Sequence, residues 1–248
     1  MTGSAAGSED LTRNRILAAL PEPERERLRP DLERVDLSLS QPLYEPGKRI
    51  ESVWFPVLGV CSIVAELAEA EGPGVEVATV GDEGMVGLPV FLGVGIPTER
   101  SVCQVAGWGL RMDADRFRDA LAVVDGVLQQ TMQRYTQTMF TQLARNAACN
   151  RSHRTRERCA RWLLMTADRM HSNQFELTQK FLAQMLAVRR SSVSEVAGAL
   201  ADEGCISYRR GVITVLDRER LESRACGCYR TLREVVDTEF PPGPGRGR

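Results

Sequence analysis

The residues best suited to specific chemistry are Arg189, Arg190, Ser191, Ser194 and Glu195, which crowd into seven consecutive positions in the last third of the chain. An arginine can bond both acceptors of a guanine edge, a serine can donate or accept, and a carboxylate can accept from cytosine N4. Arg209 and Arg210 follow shortly after, and with Thr178 they suit phosphate oxygens, which set affinity and register rather than base preference. A second group holds metal-ligand types: Cys226 and Cys228 form a Cys-x-Cys, and Cys149 lies one helical turn before His153. A structural zinc wants four ligands in paired spacings, and the chain has only two histidines. No metal centre is therefore expected, and the thiols read as buried structural groups. No Ser/His/Asp set, phosphate-cradling glycine loop or close carboxylate pair has supporting context, so an enzyme is not expected.

The elements that must carry the arginine cluster can be read locally. Thr178 is a helix N-cap by type, because its hydroxyl can accept from the free N–H groups of the first turn. Phe181, Leu182, Met185 and Leu186 then recur at helical spacing. After a break at Ala187-Val188-Arg189, a second helix sets Val193, Val196 and Leu200 inward and Arg190, Ser191, Ser194 and Glu195 outward. Gly204 has the residue type of a left-handed cap. The β-rich runs Ile206–Tyr208 and Val212–Leu216 flank Arg209-Arg210-Gly211 as a tight hairpin. Helix, turn, helix and hairpin is the winged helix-turn-helix order, whose second helix enters the major groove. The plainer alternative is a helical pair whose arginines are merely solvated.

Charge divides the chain in the same place. Residues 151–248 hold 18 Lys and Arg against 12 Asp and Glu, whereas the preceding 150 residues hold 14 against 21. A basic C-terminal part on an acidic N-terminal part suits a DNA-binding module with a separate sensor or assembly domain. No apolar run reaches membrane-spanning length, and MTGSAAGSED lacks the features of a signal peptide. Seven cysteines without framework spacing fit a reducing cytoplasm.

Upstream, residues Asn14 to Leu32 form a helical lead-in with Ile16, Leu17, Leu20 and Leu28 as its apolar set. From Val35 the period falls to two, as in a half-buried strand. Turn signals recur at Glu45-Pro46-Gly47, Leu58-Gly59, Glu71-Gly72-Pro73-Gly74 and Gly81-Asp82-Glu83-Gly84. The β-rich runs between them, Ser52–Phe55, Val60–Leu67 and Val75–Val80, suggest a sandwich or barrel. Asp125 to Asn150 then has no Pro, and Gly126 is its only Gly. Leu128, Met132, Tyr135, Met139, Gln142, Asn146 and Cys149 advance by alternating steps of four and three, the seam of a coiled coil, and are expected to form a parallel dimer interface. Phe140, Leu143 and Ala147 form a second apolar stripe, assigned to packing on the helix's own β-domain. The polar run Arg151-Ser152-His153-Arg154-Thr155 reads as a hinge.

These segments resemble the Crp/Fnr superfamily of bacterial transcription regulators over roughly Asn14 to Tyr229. The best-matching stretches are LTQKFLAQMLAVRRSSVSEV, GVITVLDRERLE and LYEPGKRIESVWFPVLGVCSIVAEL. Ala187 departs from the family's usual turn Gly, and would carry roughly 1 kcal/mol of strain if φ must be positive there. The family's best-known recognition helix reads Arg-Glu-x-x-x-Arg, whereas here Arg190 is followed by Ser191 and then Glu195, so the target sequence should differ. The resemblance implies a jelly-roll cyclic-nucleotide-binding-like domain. In such domains an acidic residue takes the ribose and an Arg-Ser pair takes the cyclic phosphate. Here Gly84, Gly87 and Leu88 match, Met85 stands where the acidic residue is expected, and Arg100-Ser101 match the pair. Leu143-Ala144 replace the hydroxyl pair that reads the base. Met85, Arg100, Ser101 and Leu143 are thus the effector-pocket candidates, with cyclic AMP not the expected effector. The cysteine cluster of the superfamily's iron–sulfur regulators is missing.

The reading is therefore an α+β chain: a disordered tail at 1–13, a jelly-roll sensor at 14–124, a dimerisation helix at 125–150, a winged helix-turn-helix at 151–240 and a disordered tail at 241–248. It implies a cytoplasmic homodimer that binds an inverted-repeat operator in double-stranded DNA, with RNA polymerase as a possible further partner and no membrane association. The cofactor and the effector are unknown. In one variant of this reading the jelly roll binds no small molecule. The alternative from another class is a cyclic-nucleotide-binding-like signalling protein whose helix-turn-helix serves protein interaction.

Overall fold

The computed structural model describes residues 4–66, 74–122 and 126–243. Strands β1 (Ser4–Ala5), β2 (Glu33–Leu37), β3 (Pro42–Tyr44), β4 (Ser52–Ala65), β5 (Val75–Val80) and β6 (Arg100–Asp113) form one sheet in the order β1-β2-β6-β4-β5, with β3 also paired to β6. Val35 and Leu37 are buried while Asp36 is exposed, so the alternation in β2 is that of a strand with one covered face. The fold is α+β, a β-roll followed by helices and a helix-turn-helix region.

Leu58-Gly59 does not turn the chain. Strand β4 runs through it for 14 residues, because Gly59, at φ +108°, lets two backbones press together. A Cβ on Gly107 of β6 would lie 2.1 Å from the Leu58 carbonyl oxygen. No side chain fits there, so the turn-like composition marks a close approach of strands. The proposed turn at Glu71–Gly74 and the end of the Val60–Leu67 run lie largely outside the described residues.

Residues 4–13 are structured, against the disordered tail expected for 1–13. Ser4 pairs with Arg34 and Ala5 with Glu33, and Leu11 of helix α1 (Ser8–Leu11) is fully buried. Helix α2 (Arg15–Ala18) begins at Asn14, whose side chain is wholly buried. Its oxygen accepts from the Ile16 and Leu17 N–H groups, and its Nδ2 donates to the Pro56 and Gly84 carbonyls at 2.9 Å each. A buried amide is stable when its donors and acceptor are met in this way. Helix α3 (Glu22–Leu28) follows, then α4 (Leu88–Phe91) between β5 and β6, and α5 (Ala114–Leu121) after β6.

The long helix α6 (Val127–Ser152) is followed by α7 (Thr155–Met170), strand β7 (Gln174–Glu176), α8 (Gln179–Met185) and α9 (Arg190–Asp202). Strands β8 (Ile206–Arg209) and β9 (Val212–Val215) form a three-stranded sheet with β7 in the order β7-β9-β8, and α10 (Arg218–Arg224) and α11 (Cys228–Glu239) complete the chain. No helix of the described residues is long and apolar enough to cross a membrane.

The compact units do not follow the boundaries read from the sequence. One comprises residues 1–63, 79–141 and 234–248, the other 64–78 and 142–233. Residues 234–240 group with the first unit because Asp237 and Phe240 are held there. Arg15 pairs with Asp237 at 2.7 Å and donates to the Phe240 carbonyl, and the Phe240 ring meets Tyr135 edge-on at 6.3 Å. Of the second tail, Pro241 to Gly243 have no regular structure and 244–248 lie outside the described residues.

Candidate nucleic-acid interface and its supporting sites

The helix-turn-helix is assembled by local chemistry. Thr178 caps α8, its hydroxyl accepting from the Phe181 N–H at 3.2 Å. Leu182, Met185 and Leu186 are buried, and α9 answers with Val193, Ala197 and Leu200. Val196, read as inward, is half-buried. Between the helices Ala187 takes φ +51°, so the alanine stands in the left-handed conformation that costs it about 1 kcal/mol. The buried Arg158 of α7 donates to the Leu186 carbonyl at 2.6 Å and so satisfies the end of α8 from below.

The outward set stands where the spacing placed it. Arg189 is the N-cap residue of α9 without using its side chain as a cap, and Arg190, Ser191, Ser194 and Glu195 are exposed. Ser194 Oγ donates within reach of Gln179 Oε1 at 3.1 Å, a cross-helix bond that the sequence reading did not assign. At the hairpin Arg209 pairs with Val212, leaving Arg210 (φ +50°) and Gly211 (φ +81°) as a two-residue loop. Two positive φ values in succession are a type I′ turn, whose twist matches the strands it joins. Both Arg209 and Arg210 are exposed, and Tyr208 ties the hairpin to the residue after β7 by donating to the Leu177 carbonyl at 2.8 Å. Behind α9, Glu203 binds Arg224 and Arg156, and their hydrogen bonds hold its carboxyl below the usual range.

Residues 157–224 match the family model of the Crp-like helix-turn-helix domain. The chain carries a Crp-like helix-turn-helix domain. Among curated proteins none matches the chain in sequence. Solved structures do resemble it in fold. A CRP-family transcriptional regulator of Thermus thermophilus aligns with a TM-score of 0.62 at 19% identity over 77% of this chain and 96% of that one. A Crp/Fnr-family regulator of Eubacterium rectale gives 0.63 at 16% over 87% and 97%. FixK2 of Bradyrhizobium japonicum gives 0.65 at 16% over 79% and 98%. At these identities the likeness establishes the fold, and the resemblance to the Crp/Fnr superfamily holds.

Ahead of the Crp-like domain, α6 departs from its expected arrangement. Leu128, Met132, Tyr135, Met139, Gln142 and Cys149 are buried within the single chain, and Asn146 is half-buried. Tyr135 donates to the Met85 carbonyl at 2.9 Å, and Asn146 donates to the Val77 carbonyl at 2.9 Å while accepting from Arg161. The seam assigned to a partner is thus occupied by the chain's own core. The second stripe is the open one: Phe140 is 66% exposed, Leu143 38%, and Ala147 is exposed. A heptad rhythm finds both stripes but cannot tell which one the chain itself covers, and the one it leaves exposed is the second.

The effector-pocket candidates separate likewise. Met85 is fully buried, with its carbonyl committed to Tyr135, and Ser101 is buried with no hydrogen-bond partner for its Oγ among the described residues. Arg100 is half-buried at the start of β6. Leu143 belongs to the open stripe of α6 and lines no interior of the single chain.

The thiols are where the structure adds most. Cys149 Sγ lies 3.5 Å from Cys226 Sγ, and Cys228 Sγ lies 3.8 Å from His153 Nδ1. The ligand atoms of all four residues fall within 4.8 Å of one another. The expectation of no metal centre rested on the lack of four ligands in paired spacing, and the fold supplies the pairing that the sequence separates by 77 residues. The Cys226 hydrogen bond, with help from Arg161, holds Cys149 below its ordinary thiol value. Burial alone pushes Cys103 and Cys159, outside the group, up to about 12. All seven cysteines are free.

Proposed function

We propose that this protein is a Crp/Fnr-type transcription regulator that binds an inverted-repeat operator in double-stranded DNA as a homodimer. One observation carries the reading: Arg190, Ser191, Ser194 and Glu195 share the exposed face of α9 in a Crp-like helix-turn-helix domain, above buried Val193, Ala197 and Leu200. Arg189 and Arg190 contact base edges, Ser191, Ser194 and Glu195 tune base choice, and Thr178, Arg209 and Arg210 hold phosphates. Phe140, Leu143 and Ala147 join two α6 helices in parallel, because an exposed aromatic beside an exposed leucine on a long helix is stabilised by a matching face. The β-roll is the sensor or assembly domain, and RNA polymerase is the further partner. The protein acts in the cytoplasm and catalyses no reaction. Cyclic AMP is not the effector, since the thioether of Met85 cannot accept the ribose hydroxyl as a carboxylate does.

The test is selection of bound fragments from the source genome, followed by titration of the selected and a scrambled duplex at several salt concentrations. The expected result is inverted repeats with half-site centres about 34 Å apart, bound at least about 1,000-fold tighter than the scrambled duplex. Equal affinity for both duplexes defeats the proposal. Cyclic AMP at millimolar concentration should leave the melting curve unmoved, whereas a ligand at about 100 times its Kd stabilises by roughly 2.7 kcal/mol.

A further inference from the structure

We propose that Cys149, His153, Cys226 and Cys228 together bind one zinc ion in a tetrahedral Cys3His site. The geometry is that of a collapsed coordination shell. With Zn–S bonds of about 2.3 Å, tetrahedral ligand atoms stand about 3.8 Å apart, and the distances across this group are 3.5 Å for Cys149–Cys226 and 3.8 Å for Cys228–His153. No ligand atom need move far, since all four already lie within 4.8 Å of one another.

The ligands arrive from two places. Cys149 and His153 are four residues apart, where α6 ends, so their side chains project to one side. Cys226 and Cys228 bracket Gly227 at the start of α11, and a Cβ on Gly227 would meet nothing within 4 Å. Three cysteines are buried and the histidine half-buried, so the shell is closed to a fourth-position water, as in structural rather than catalytic zinc sites. The four atoms stand too close to enclose a multi-iron cluster, and a tetrahedral sulfur-rich set is otherwise the mark of zinc.

Charge supports the same ion. Binding releases the three thiol protons to solvent and leaves neutral imidazole on the metal, so zinc and three thiolates carry a net charge of −1. Such a charge buried alone is costly. Arg158 and Arg161 are both buried, their charges act on the Cys149 thiol, and the Nε atom of each has no hydrogen-bond partner among the described residues. Two buried guanidinium groups beside three thiols are the counter-charge that a thiolate site needs. Arg158 also holds the Leu186 carbonyl, so the ion would brace the arginine that supports the turn before the recognition helix.

The experiment measures metal in the full-length protein purified under reducing conditions without chelator, and replaces zinc by cobalt(II). The expected result is one zinc per chain. Cobalt should give thiolate-to-metal charge transfer in the near ultraviolet and the intense visible bands of a tetrahedral ion. His153→Ala should weaken zinc by at least about 100-fold, more than loss of a supporting residue does, and Cys226→Ser should abolish the cobalt charge-transfer band or leave it sharply reduced. Cys61→Ser, which removes a buried thiol outside the group, should keep both metal and spectrum. His153 is only half-buried, so its variant remains informative if a cysteine variant fails to fold. The proposal is overturned if the reduced protein takes up no zinc when it is supplied, or if cobalt gives an octahedral spectrum. It is equally overturned if His153→Ala binds zinc as tightly as the parent, or if Cys149 and Cys226 are recovered only as a disulfide. DNA binding is read separately, so loss of operator affinity with the zinc site intact would count against the regulator reading and not against the site.

Discussion

Helix α9 and helix α6 meet the solvent in opposite ways. On α9 the exposed residues are Arg190, Ser191, Ser194 and Glu195, and the apolar ones lie beneath. Such a face is stable in water as it stands. On α6 a full set of apolar residues is already consumed by the chain's own core, yet Phe140 and Leu143 stay outside. That face is a standing cost in water for as long as it stays uncovered. The difference teaches that a polar face records a ligand by its chemistry, whereas an apolar face records only that something covers it.

The comparison can be broken most directly at Met132. Met132→Lys places an unpaired charge in a fully buried position and should cost about 3–5 kcal/mol of stability, read by denaturant titration. If the variant folds normally and merely dissociates, α6 faces a partner there after all. Phe140→Glu combined with Leu143→Glu should do the reverse. Two like charges per chain in one interface cost several kcal/mol, so sedimentation should show monomers while the circular dichroism stays native; a dimer that persists at micromolar concentration would return the open stripe to the status of mere surface.

Smaller effects sharpen the α9 side. Arg190→Ala should lose about 1–3 kcal/mol on the native operator and relax preference at one base pair per half-site, whereas Arg210→Ala should weaken all sequences alike and lower the salt slope by roughly one unit. Equal losses for Arg190→Ala on native and scrambled duplexes would make it a phosphate contact. The smallest change is Ala187→Gly, which relieves the positive φ and should raise stability by about 1 kcal/mol or less. A loss of stability there would mean that the alanine methyl packs usefully in the turn.

Much of the fold was legible because its signals are local. The Thr178 cap, the break at Ala187, the Gly204 end and the two-residue hairpin at Arg210-Gly211 each depend on residues within a few positions, and all appear in the structure. What was not legible is tertiary. The choice between the two α6 stripes turns on Tyr135 reaching Met85, 50 residues away. The turn-like Leu58-Gly59 is a close approach of paired strands because Gly107 lies opposite. The thiol group shows its halves in sequence, one as an i, i+4 pair and one as a Cys-x-Cys, but their meeting is made only by folding. Counting Cys149, His153, Cys226 and Cys228 as one possible four-ligand set was the signal available.

The return of the C-terminal end to the first unit has a consequence for the order of events in synthesis. Phe240 is fully buried against Tyr135, and Arg15 is held by Asp237 and the Phe240 carbonyl. A nascent chain that has already produced the β-roll therefore lacks part of that unit's interior until Phe240 has been added. Arg15 waits for Phe240, over a separation of 225 positions. A chain cut before Asp237 would keep the matched residues 157–224 whole and lose the partners of Arg15 and Tyr135.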